Sequence, residues 1–425
     1  MSENNNSEGG ATSAQQLSAT LPITSDSSRR LSRQKRLSDI SCSESSASGK
    51  EAAPFPFKAT NRLHEDHKQC IYGVAFSGVR TSQGNELFAT TGDNRLTVYE
   101  CRADGYIKCL RAYKDPDDLE EYYTCAWTVD EPKTSHLVAV AGKNGGIRVV
   151  NPHTNACECY LLSHTDVVNE LRIHPQNHEL LVSVSADHSV RLWNIRTEAL
   201  VCLFASHTDQ VLACDFSVDG RLLATCGGDK TVRLWNFQSE ELQLAVKAAE
   251  CYVNGENTKT FPSLLTELEV LETGEEIHTT LIDCVRWYGD LVFSKGHDDR
   301  IVMWKPESIA GVDSVNGVTV LRTFKVHGGT NWWMKFGVDP TYEYMAWGNM
   351  TGTLYLWELR QLVKPNYQPV VKRPKKPAAR GRYGLIEGSG IVRQIAFSSD
   401  GHTFICVCDD HLVCRWDKTR VNASV

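Results

Sequence analysis

Three cysteines and a histidine near the C-terminus are of the types that bind zinc: Cys406, Cys408, His411 and Cys414. If this segment forms two strands and a turn, the first two cysteines share one strand face and Cys414 lies on the neighbouring strand. We therefore expect ordinary packing and no metal. The HEDH run at 64–67 has no third ligand in view. No nucleophile elbow, phosphate loop or carboxylate pair is recognisable, so we expect no catalytic residue and no cofactor.

Aromatic side chains offer a different chemistry, the binding of a cation. Tyr72, Tyr123 and Trp332 each stand four residues before an apolar residue that ends a predicted strand, and Trp333 follows Trp332. Rings that face one opening present several negative π-faces to one point, which suits a quaternary ammonium such as trimethyllysine. The alternative is that the rings plug a channel. The acidic run at 115–121 adjoins Tyr123 and would attract a basic peptide.

An internal repeat predicts the elements that position these rings. Its clearest copies are LLVSVSADHSVRLWN (180–194) and LLATCGGDKTVRLWN (222–236). The same six-residue spacing, with substitutions, occurs seven times: Asp93/Tyr99, Asn144/Val150, Asp187/Trp193, Asp229/Trp235, Asp298/Trp304, Thr351/Trp357 and Asp410/Trp416. A repeat of about 40–45 residues with this ending is typical of a WD-repeat blade. The sequence therefore predicts an all-β, seven-bladed WD-repeat β-propeller.

The propeller brings the aromatic residues to one place, because its innermost strands line a central channel and begin at its upper mouth. The expected rim residues are Tyr72, Tyr123, Asn169, Leu212, Asp283, Trp332 and Arg393. Three of these seven are large aromatics, and Arg393 is the only cation among them.

Polar tetrads are expected to tie two of the blades together by hydrogen bonds. One tetrad comprises His164, Ser183, Asp187 and Trp193, and the other comprises His207, Thr225, Asp229 and Trp235. The remaining blades carry part of this set. The segment PFKATNRL (56–63) is predicted to supply the outer strand of the last blade, which removes an open sheet edge.

Composition separates a tail from the propeller. Residues 1–52 contain no aromatic residue and are rich in serine, so we predict a disordered tail. Within it, RRLSRQKRLS (29–38) is a solvated basic stretch, a nuclear-import signal or a kinase site at Ser32 or Ser38. The propeller is expected to span 56–418. The net charge of −7 argues against uniform coating of nucleic acid, and no apolar run reaches the ~18 residues of a membrane helix.

Insertions are expected at about 237–277, 305–317 and 360–388. The first begins with a segment, 239–253, whose serine cap and apolar stripe predict a helix. In the third, residues 360–382 carry eight Lys or Arg and no acidic residue, and the prolines argue against regular structure. This stretch is a solvated loop, a nuclear-import signal or a weak contact with nucleosomal DNA.

The chain resembles the Extra sex combs/embryonic ectoderm development family, the WD-repeat subunit of Polycomb repressive complex 2. The resemblance spans about 56–418 and is carried by stretches such as YYTCAWTVD, LLVSVSADHSVRLWNI and IDCVRWYGDLVFSK. It implies a trimethyllysine cage formed by Tyr72, Tyr123, Trp332 and Trp333, with Arg393 near the bound histone tail. Family members commonly have Phe at the first of these positions and Tyr at the last.

The resemblance also implies a nuclear, non-catalytic scaffold that supports transcriptional repression. A helix of an Enhancer of zeste-type SET-domain methyltransferase would lie on the lower face. Two other functions are consistent with a propeller: a generic WD-repeat adaptor, such as a ubiquitin-ligase substrate receptor, and an enzyme. Preference for trimethyllysine over unmodified lysine would distinguish the scaffold from the adaptor.

Overall fold

The described part of the chain is a ring of antiparallel sheets. A computed structural model describes residues 55–67, 69–130, 135–162, 164–252, 261, 263–266, 269–274, 276–307, 317–364, 367–373 and 390–419. They form the seven-bladed β-propeller that the repeat predicts. The tail at 1–52, with Ser32 and Ser38, lies outside these residues. Within the described ranges, no helix is both long enough and apolar enough to cross a membrane.

The strands are numbered along the chain and the blades I to VII. The closing strand β1 is Phe57–His64. Blade I contains β2 (Ile71–Arg80), β3 (Glu86–Gly92), β4 (Arg95–Cys101) and β5 (Ile107–Lys114). Blade II contains β6 (Tyr122–Asp130), β7 (Ser135–Gly142), β8 (Gly146–Asn151) and β9 (Ala156–Leu162). Blade III contains β10 (Val168–His174), β11 (Asn177–Ser185), β12 (Val190–Asn194) and β13 (Ala199–Phe204).

Blade IV contains β14 (Val211–Phe216), β15 (Leu222–Gly227) and β16 (Val232–Asn236). Helix α1 (Glu240–Glu250) and the short strand β17 (Leu264–Thr266) follow, and β18 (Glu269–Glu272) completes blade IV. Blade V contains β19 (Ile282–Tyr288), β20 (Leu291–Gly296), β21 (Arg300–Pro306) and β22 (Val318–Lys325). Blade VI contains β23 (Gly337–Val338), β24 (Tyr344–Gly348), β25 (Leu354–Glu358) and β26 (Val370–Lys372), with a 3-10 turn at Leu359–Gln361. Blade VII contains β27 (Val392–Phe397), β28 (Thr403–Cys408) and β29 (Leu412–Lys418).

The residues that close the repeat motif are all buried. The seven residues that close the motif lie on the third strand of each blade and are at most 3% exposed: Tyr99, Val150, Trp193, Trp235, Trp304, Trp357 and Trp416. The first strands of most neighbouring blades contact one another, so they surround the central channel. The channel mouth at which these strands begin is called the upper rim here, and the opposite mouth the lower end.

The chain's own N-terminal strand closes the ring. β1 pairs with β29 in antiparallel register, in the outer position predicted for 56–63. Phe57 is 2% exposed. Its ring lies 5.0 Å from that of Phe404 and 5.3 Å from that of Tyr344. Because β1 and β29 lie far apart in sequence, their pairing joins the two ends of the propeller and covers an edge that would otherwise be open.

The segment 237–277 contains the predicted helix. The Ser239 side chain caps α1 by accepting a hydrogen bond from the Leu242 backbone N–H at 3.4 Å. Leu242, Val246 and Ala249 form the buried stripe, which packs on the apolar core shared by blades III and IV.

The same segment also builds sheet, which the sequence did not predict. β17 pairs in parallel with β13 and adds a fifth strand to blade III. β18 is blade IV's own fourth strand. At three and four residues, these strands are too short to show a periodic pattern in the sequence.

The expectation that 360–382 lacks regular structure was wrong at two places, the 3-10 turn at Leu359–Gln361 and β26. β26, at Val370–Lys372, is the outer strand of blade VI and pairs with β25. A proline stands on each side of it, at 369 and 374, which an edge strand tolerates because its outer N–H groups need no partner. Residues 374–389 of this insertion, and 308–316 of the insertion at 305–317, lie outside the described residues.

Candidate binding site

Three aromatic rings meet on the upper rim. Tyr72 and Tyr123 are the second residues of β2 and β6, and Trp333 precedes β23. The centroids of the rings of Tyr72 and Tyr123 are 5.0 Å apart at 90°. The Trp333 centroid lies 5.1 Å from that of Tyr72 and 4.6 Å from that of Tyr123. The structure therefore brings together three of the four rings that the sequence predicts, here called the three-ring cluster.

Trp332 does not join this cluster. The strand expected to begin at Trp332 pairs with β24 only from Gly337 onward. Trp333 has a φ of 53°, a left-handed conformation that is uncommon for a bulky residue and turns the backbone between the two tryptophans. Trp332 is 46% exposed, and its ring faces His297 at 6.3 Å. Sequence spacing could not show this, because it depends on one backbone dihedral.

The three rings fill the space between them. Aromatic pairs in direct contact have centroids roughly 4.5–7 Å apart, and the three distances lie at the short end of that range. A trimethylammonium group must approach several ring faces at once, so the rings have to separate to admit it. The buried indole Nε1 of Trp333 has no hydrogen-bond partner among the described residues.

Arg393 lies against the cluster, as its rim position predicts. Its guanidinium carbon is 5.5 Å from the ring centroid of Tyr72. Its Nε and Nη2 donate to the two carboxylate oxygens of Asp409, and its Nη1 donates to the Trp332 carbonyl oxygen. Burial would lower the pKa of Arg393, but its ion pair with Asp409 raises it. The rim therefore holds a fixed, fully charged cation beside Tyr72.

The acidic run at 115–121 carries less unpaired negative charge than its composition suggests. Asp115 is paired with Arg148, Asp118 with Lys114 and Glu121 with Lys143. Glu121 also accepts a hydrogen bond from the Tyr123 hydroxyl at 3.1 Å. Burial, followed by the charge of Glu121, raises the pKa of Tyr123, so the ring remains a neutral phenol. Lys114 directly precedes the run, but Lys143 and Arg148 come from blade II, so the local sequence could not reveal those two partners.

A buried ionic network crosses the channel below the rim. Glu170 is 1% exposed and its Oε1 accepts from Arg172 at 2.6 Å and from Arg286 at 2.8 Å. Its Oε2 lies 3.4 Å from the ammonium of Lys335. Burial alone would raise the pKa of Glu170, but the three cations lower it to about 2. These residues lie one to three positions beyond expected rim residues, and the sequence did not predict that they form a network.

The lower end of the channel opens into two adjoining cavities. One, of about 330 Å³, is lined by the ends of innermost strands, among them Phe216, Trp287 and Phe397. The other, of about 350 Å³, shares Val218 and Trp287 with it. Val218 is 56% exposed, and the buried indole Nε1 of Trp287 has no hydrogen-bond partner among the described residues. This end can therefore accept an apolar side chain and a hydrogen-bond acceptor.

Known proteins are similar to this chain in sequence over most of its length. Polycomb protein esc of Musca domestica is 33% identical over 379 residues, which cover 87% of this chain and 85% of the relative. Polycomb protein esc of Drosophila melanogaster is 31% identical and covers 86% of this chain and 85% of the relative. The chain belongs to the Polycomb esc family.

Two further comparisons agree with the fold of this esc-family chain. The WD domain, G-beta repeat matches residues 155–194, 199–236 and 383–417. A crystal structure of the Chaetomium thermophilum polycomb repressive complex 2 contains a chain that is 17% identical, with a TM-score of 0.69. The match covers 85% of this chain and 97% of that one, and at this identity it shows the fold alone.

The two predicted tetrads are hydrogen-bonded in the expected order. In blade III, Trp193 Nε1 donates to the Ser183 hydroxyl at 2.9 Å, His164 Nε2 lies 2.7 Å from that hydroxyl, and His164 Nδ1 lies 2.8 Å from Asp187. Burial lowers the pKa of His164.

In blade IV the corresponding distances are 2.9 Å for Trp235 to Thr225, 2.7 Å for His207 to Thr225 and 2.7 Å for His207 to Asp229. Burial would raise the pKa of Asp229, but the hydrogen bond with His207 and those from Thr231 lower it to about 2.

A third complete tetrad lies in blade V and corrects the expectation of two. His278 Nδ1 lies 3.2 Å from Asp298, and its Nε2 lies 2.9 Å from the Ser294 hydroxyl. Trp304 Nε1 donates to the same hydroxyl at 3.1 Å. The signal was present, because Ser294 stands ten residues before Trp304, as in the other two tetrads. His278 is closer to its Asp in sequence than the other histidines are, so a fixed spacing misses it.

The HEDH run contributes to the blade I core. Glu65 accepts hydrogen bonds from the Thr90 hydroxyl at 2.6 Å and the Tyr99 hydroxyl at 2.8 Å. His67 Nε2 lies 2.8 Å from Glu65, so this carboxylate fills the role that a tetrad histidine has in other blades. Burial would raise the pKa of Glu65, but hydrogen bonds from His67, Thr90 and Tyr99 lower it.

The cysteine segment packs within blade VII. Cys406 and Cys414 are register partners on β28 and β29, and both are buried with Cys408. The ring of His411 faces away from them, with Nδ1 2.7 Å from the Gln69 carbonyl oxygen. Across the described residues, no group of three or more His, Cys, Asp or Glu side chains could hold a metal ion.

Proposed function

We propose that this chain is the non-catalytic WD-repeat scaffold of a Polycomb-type histone H3 lysine methyltransferase complex in the nucleus, where it supports transcriptional repression. Its family membership supports a place in such a complex, since the relatives are named Polycomb proteins. The observation that carries the binding function is the meeting of Tyr72, Tyr123 and Trp333 on one rim. There the rings would hold the trimethyllysine of a histone tail.

The three-ring cluster favours a cation that cannot donate hydrogen bonds. A lysine with fewer methyl groups keeps an N–H that needs an acceptor. The nearest rim carboxylates are already engaged, Glu121 by Tyr123 and Lys143 and Asp409 by Arg393. A trimethylammonium group makes no such demand and gains from the ring faces alone. We therefore expect preference for the trimethylated state.

The cage is tested by titrating a histone H3 peptide, trimethylated or unmodified, into the full chain. Wild type should prefer the trimethylated peptide. Tyr123→Ala should lose about 1–2 kcal/mol of that preference, because a desolvated ring is removed. Tyr72→Phe keeps the ring, and Tyr106→Ala removes a 63% exposed tyrosine away from the rim, so both should bind as wild type does. Equal affinity of wild type for the two peptides would instead support a generic adaptor.

The lower end would receive a helix of an Enhancer of zeste-type SET-domain subunit. The exposed Val218 and the partly apolar cavities beside it offer a surface on which an amphipathic helix could bind. Affinity purification should recover a SET-domain methyltransferase. Val218→Asp should reduce the recovery, whereas Val320→Asp, a similarly exposed position on the outer strand β22, should leave it unchanged. Recovery unaffected by Val218→Asp would place the partner elsewhere.

A further inference from the structure

The indole of Trp287 carries an unpaired hydrogen-bond donor at the lower end of the channel. Trp287 is the sixth residue of β19 and is 5% exposed. Its Nε1 is buried and has no hydrogen-bond partner among the described residues. Because an unpaired buried donor is costly, most buried donors in folded proteins are hydrogen-bonded. The Trp287 indole is an exception, and an acceptor supplied by a binding partner would remove it.

Blade II shows how the same position is satisfied. Trp127 is the sixth residue of β6, and its Nε1 donates to the backbone carbonyl oxygen of Ala75 at 3.0 Å. Ala75 is the fifth residue of β2, the innermost strand of the preceding blade. The fifth residue of β14, which precedes blade V, is Asp215, and its carboxylate accepts from the Trp287 backbone N–H at 2.9 Å. The indole of Trp287 gains no acceptor from that strand.

Trp287 lies where the two lower-end cavities adjoin. It lines both the cavity of about 330 Å³ and the cavity of about 350 Å³. Each volume is many times the roughly 10–15 Å³ that one water molecule requires. A side chain of a partner can therefore enter beside the indole.

The charges around these cavities make them unsuitable for an acidic side chain. The arginines that line them are already paired: Arg221 with Asp219, Arg172 with Glu170 and Asp215, and Arg286 with Glu170. Further carboxylates of the lining come from Asp290 and Asp339. A carboxylate from a partner would therefore meet like charge. A lysine or arginine supplies donors only, so it cannot satisfy the indole N–H.

We propose that the lower-end cavities receive a side-chain amide, from Asn or Gln, of the helix that binds there. The inference rests on the proposed function and adds the chemistry of one contact to it. The amide oxygen accepts from Trp287 Nε1, and the amide NH₂ group donates to one of the carboxylates of the lining. A main-chain carbonyl in the middle of a helix cannot take this role, because it is hydrogen-bonded within the helix. Trp287 is thus a specificity-determining residue of the lower end.

The first experiment follows the indole protons of the isotope-labelled full chain by NMR. Trp287→Phe and Trp127→Phe assign the two Nε1 proton resonances by their loss. The ligand is a peptide of the propeller-binding helix, mapped in the SET-domain subunit that affinity purification recovers. Its addition should shift the Trp287 resonance downfield, as a new hydrogen bond does, and leave the Trp127 resonance in place. A Trp287 resonance that stays in place while the peptide binds would overturn the inference.

The second experiment titrates the same peptide calorimetrically, with each Asn and Gln replaced in turn by Leu. One replacement should weaken binding to wild type about three- to tenfold, the effect of one hydrogen bond. The same replacement should change binding to Trp287→Phe by less than about twofold, because the donor is already absent. Glu at that position should also bind wild type more weakly than the amide does. Trp127→Phe is the matched control and should respond to every peptide as wild type does.

Three results decide against parts of this account. Equal losses in wild type and Trp287→Phe for every amide replacement would overturn the inference and leave the proposed function standing. A Glu peptide that binds wild type as tightly as the amide peptide would overturn the choice of an amide. A wild-type chain that binds no SET-domain subunit would contradict the proposed function itself.

Discussion

At the scale of single residues, neighbours in sequence can contact different parts of the fold. Spacing along the repeat predicted that Trp332 and Trp333 would face the same opening. The structure directs them to different partners, because Trp333 adopts a φ of 53°. The repeat reports residue type and strand period, but it carries no information about a left-handed residue in the stretch before β23. For Tyr72, Tyr123 and Arg393, which lie on regular strands, the same reasoning gave the correct rim location.

The tetrads support a prediction about stability. Asp229→Ala should lower the free energy of unfolding by roughly 1–3 kcal/mol, because His207 loses its acceptor in a buried site. Denaturant unfolding measures this change, and the trimethyllysine preference should stay as in wild type. Asp66→Ala is the control, since the Asp66 side chain is 82% exposed and should cost little. An Asp229→Ala protein as stable as wild type would contradict the structural role of the tetrad.

At the scale of elements, the sequence pattern predicted the elements that have a signal of their own and missed short strands that have none. The seven blades, α1 and the closing strand were all readable, because each has a periodic or capping signal of its own. β17 and β26 are three residues long; β17 pairs with the outer strand of the neighbouring blade III, and β26 pairs with β25 of its own blade. Such strands depend on tertiary context and have no local signature.

Closure by β1 can be tested with one side chain. Phe57→Ala should destabilise the propeller by about 3–5 kcal/mol, because the ring fills a buried site against Phe404 and Tyr344. Lys58→Ala, at the neighbouring exposed position of the same strand, should be near neutral. Denaturant unfolding of both variants measures the difference. If the two were equally stable, β1 would not be holding the ring closed.

The basic segment 360–382 gives a prediction about nucleic acid. Neutralising Lys372, Arg373, Lys375 and Lys376 should weaken DNA binding by the purified protein at low salt, since phosphate contacts release counterions. The trimethyllysine preference should not change.

The matched control for this prediction neutralises four exposed cations elsewhere: Lys58, Lys108, Arg111 and Lys247. We expect the control to lose less DNA affinity than the 360–382 variant does. Equal DNA affinity of the 360–382 variant and wild type would exclude this contact. Cytoplasmic retention of that variant in cells would then favour nuclear import.

At the scale of the whole molecule, the network around Glu170 joins distant blades. Its cations come from blade III, blade V and the segment before β23, so it connects residues as far apart as Glu170 and Lys335. Each of these side chains is costly to bury alone, and removal of one partner leaves the others unpaired. Glu170→Gln should therefore reduce stability at neutral pH, by roughly 3–5 kcal/mol.

The pH dependence of that variant is the sharper prediction. The pKa of Glu170 is lowered from 4.5 to about 2 in the folded state, so its contribution to stability is present above pH 4.5 and is lost as the pH falls toward 2. The loss over this window should be roughly 3 kcal/mol. Urea unfolding at several pH values should therefore show a weaker acid dependence in Glu170→Gln than in wild type. Glu179→Gln, which alters the more exposed pair with Arg196, should follow the wild-type slope. Parallel curves for wild type and Glu170→Gln would mean that protonation of Glu170 does not contribute to acid unfolding.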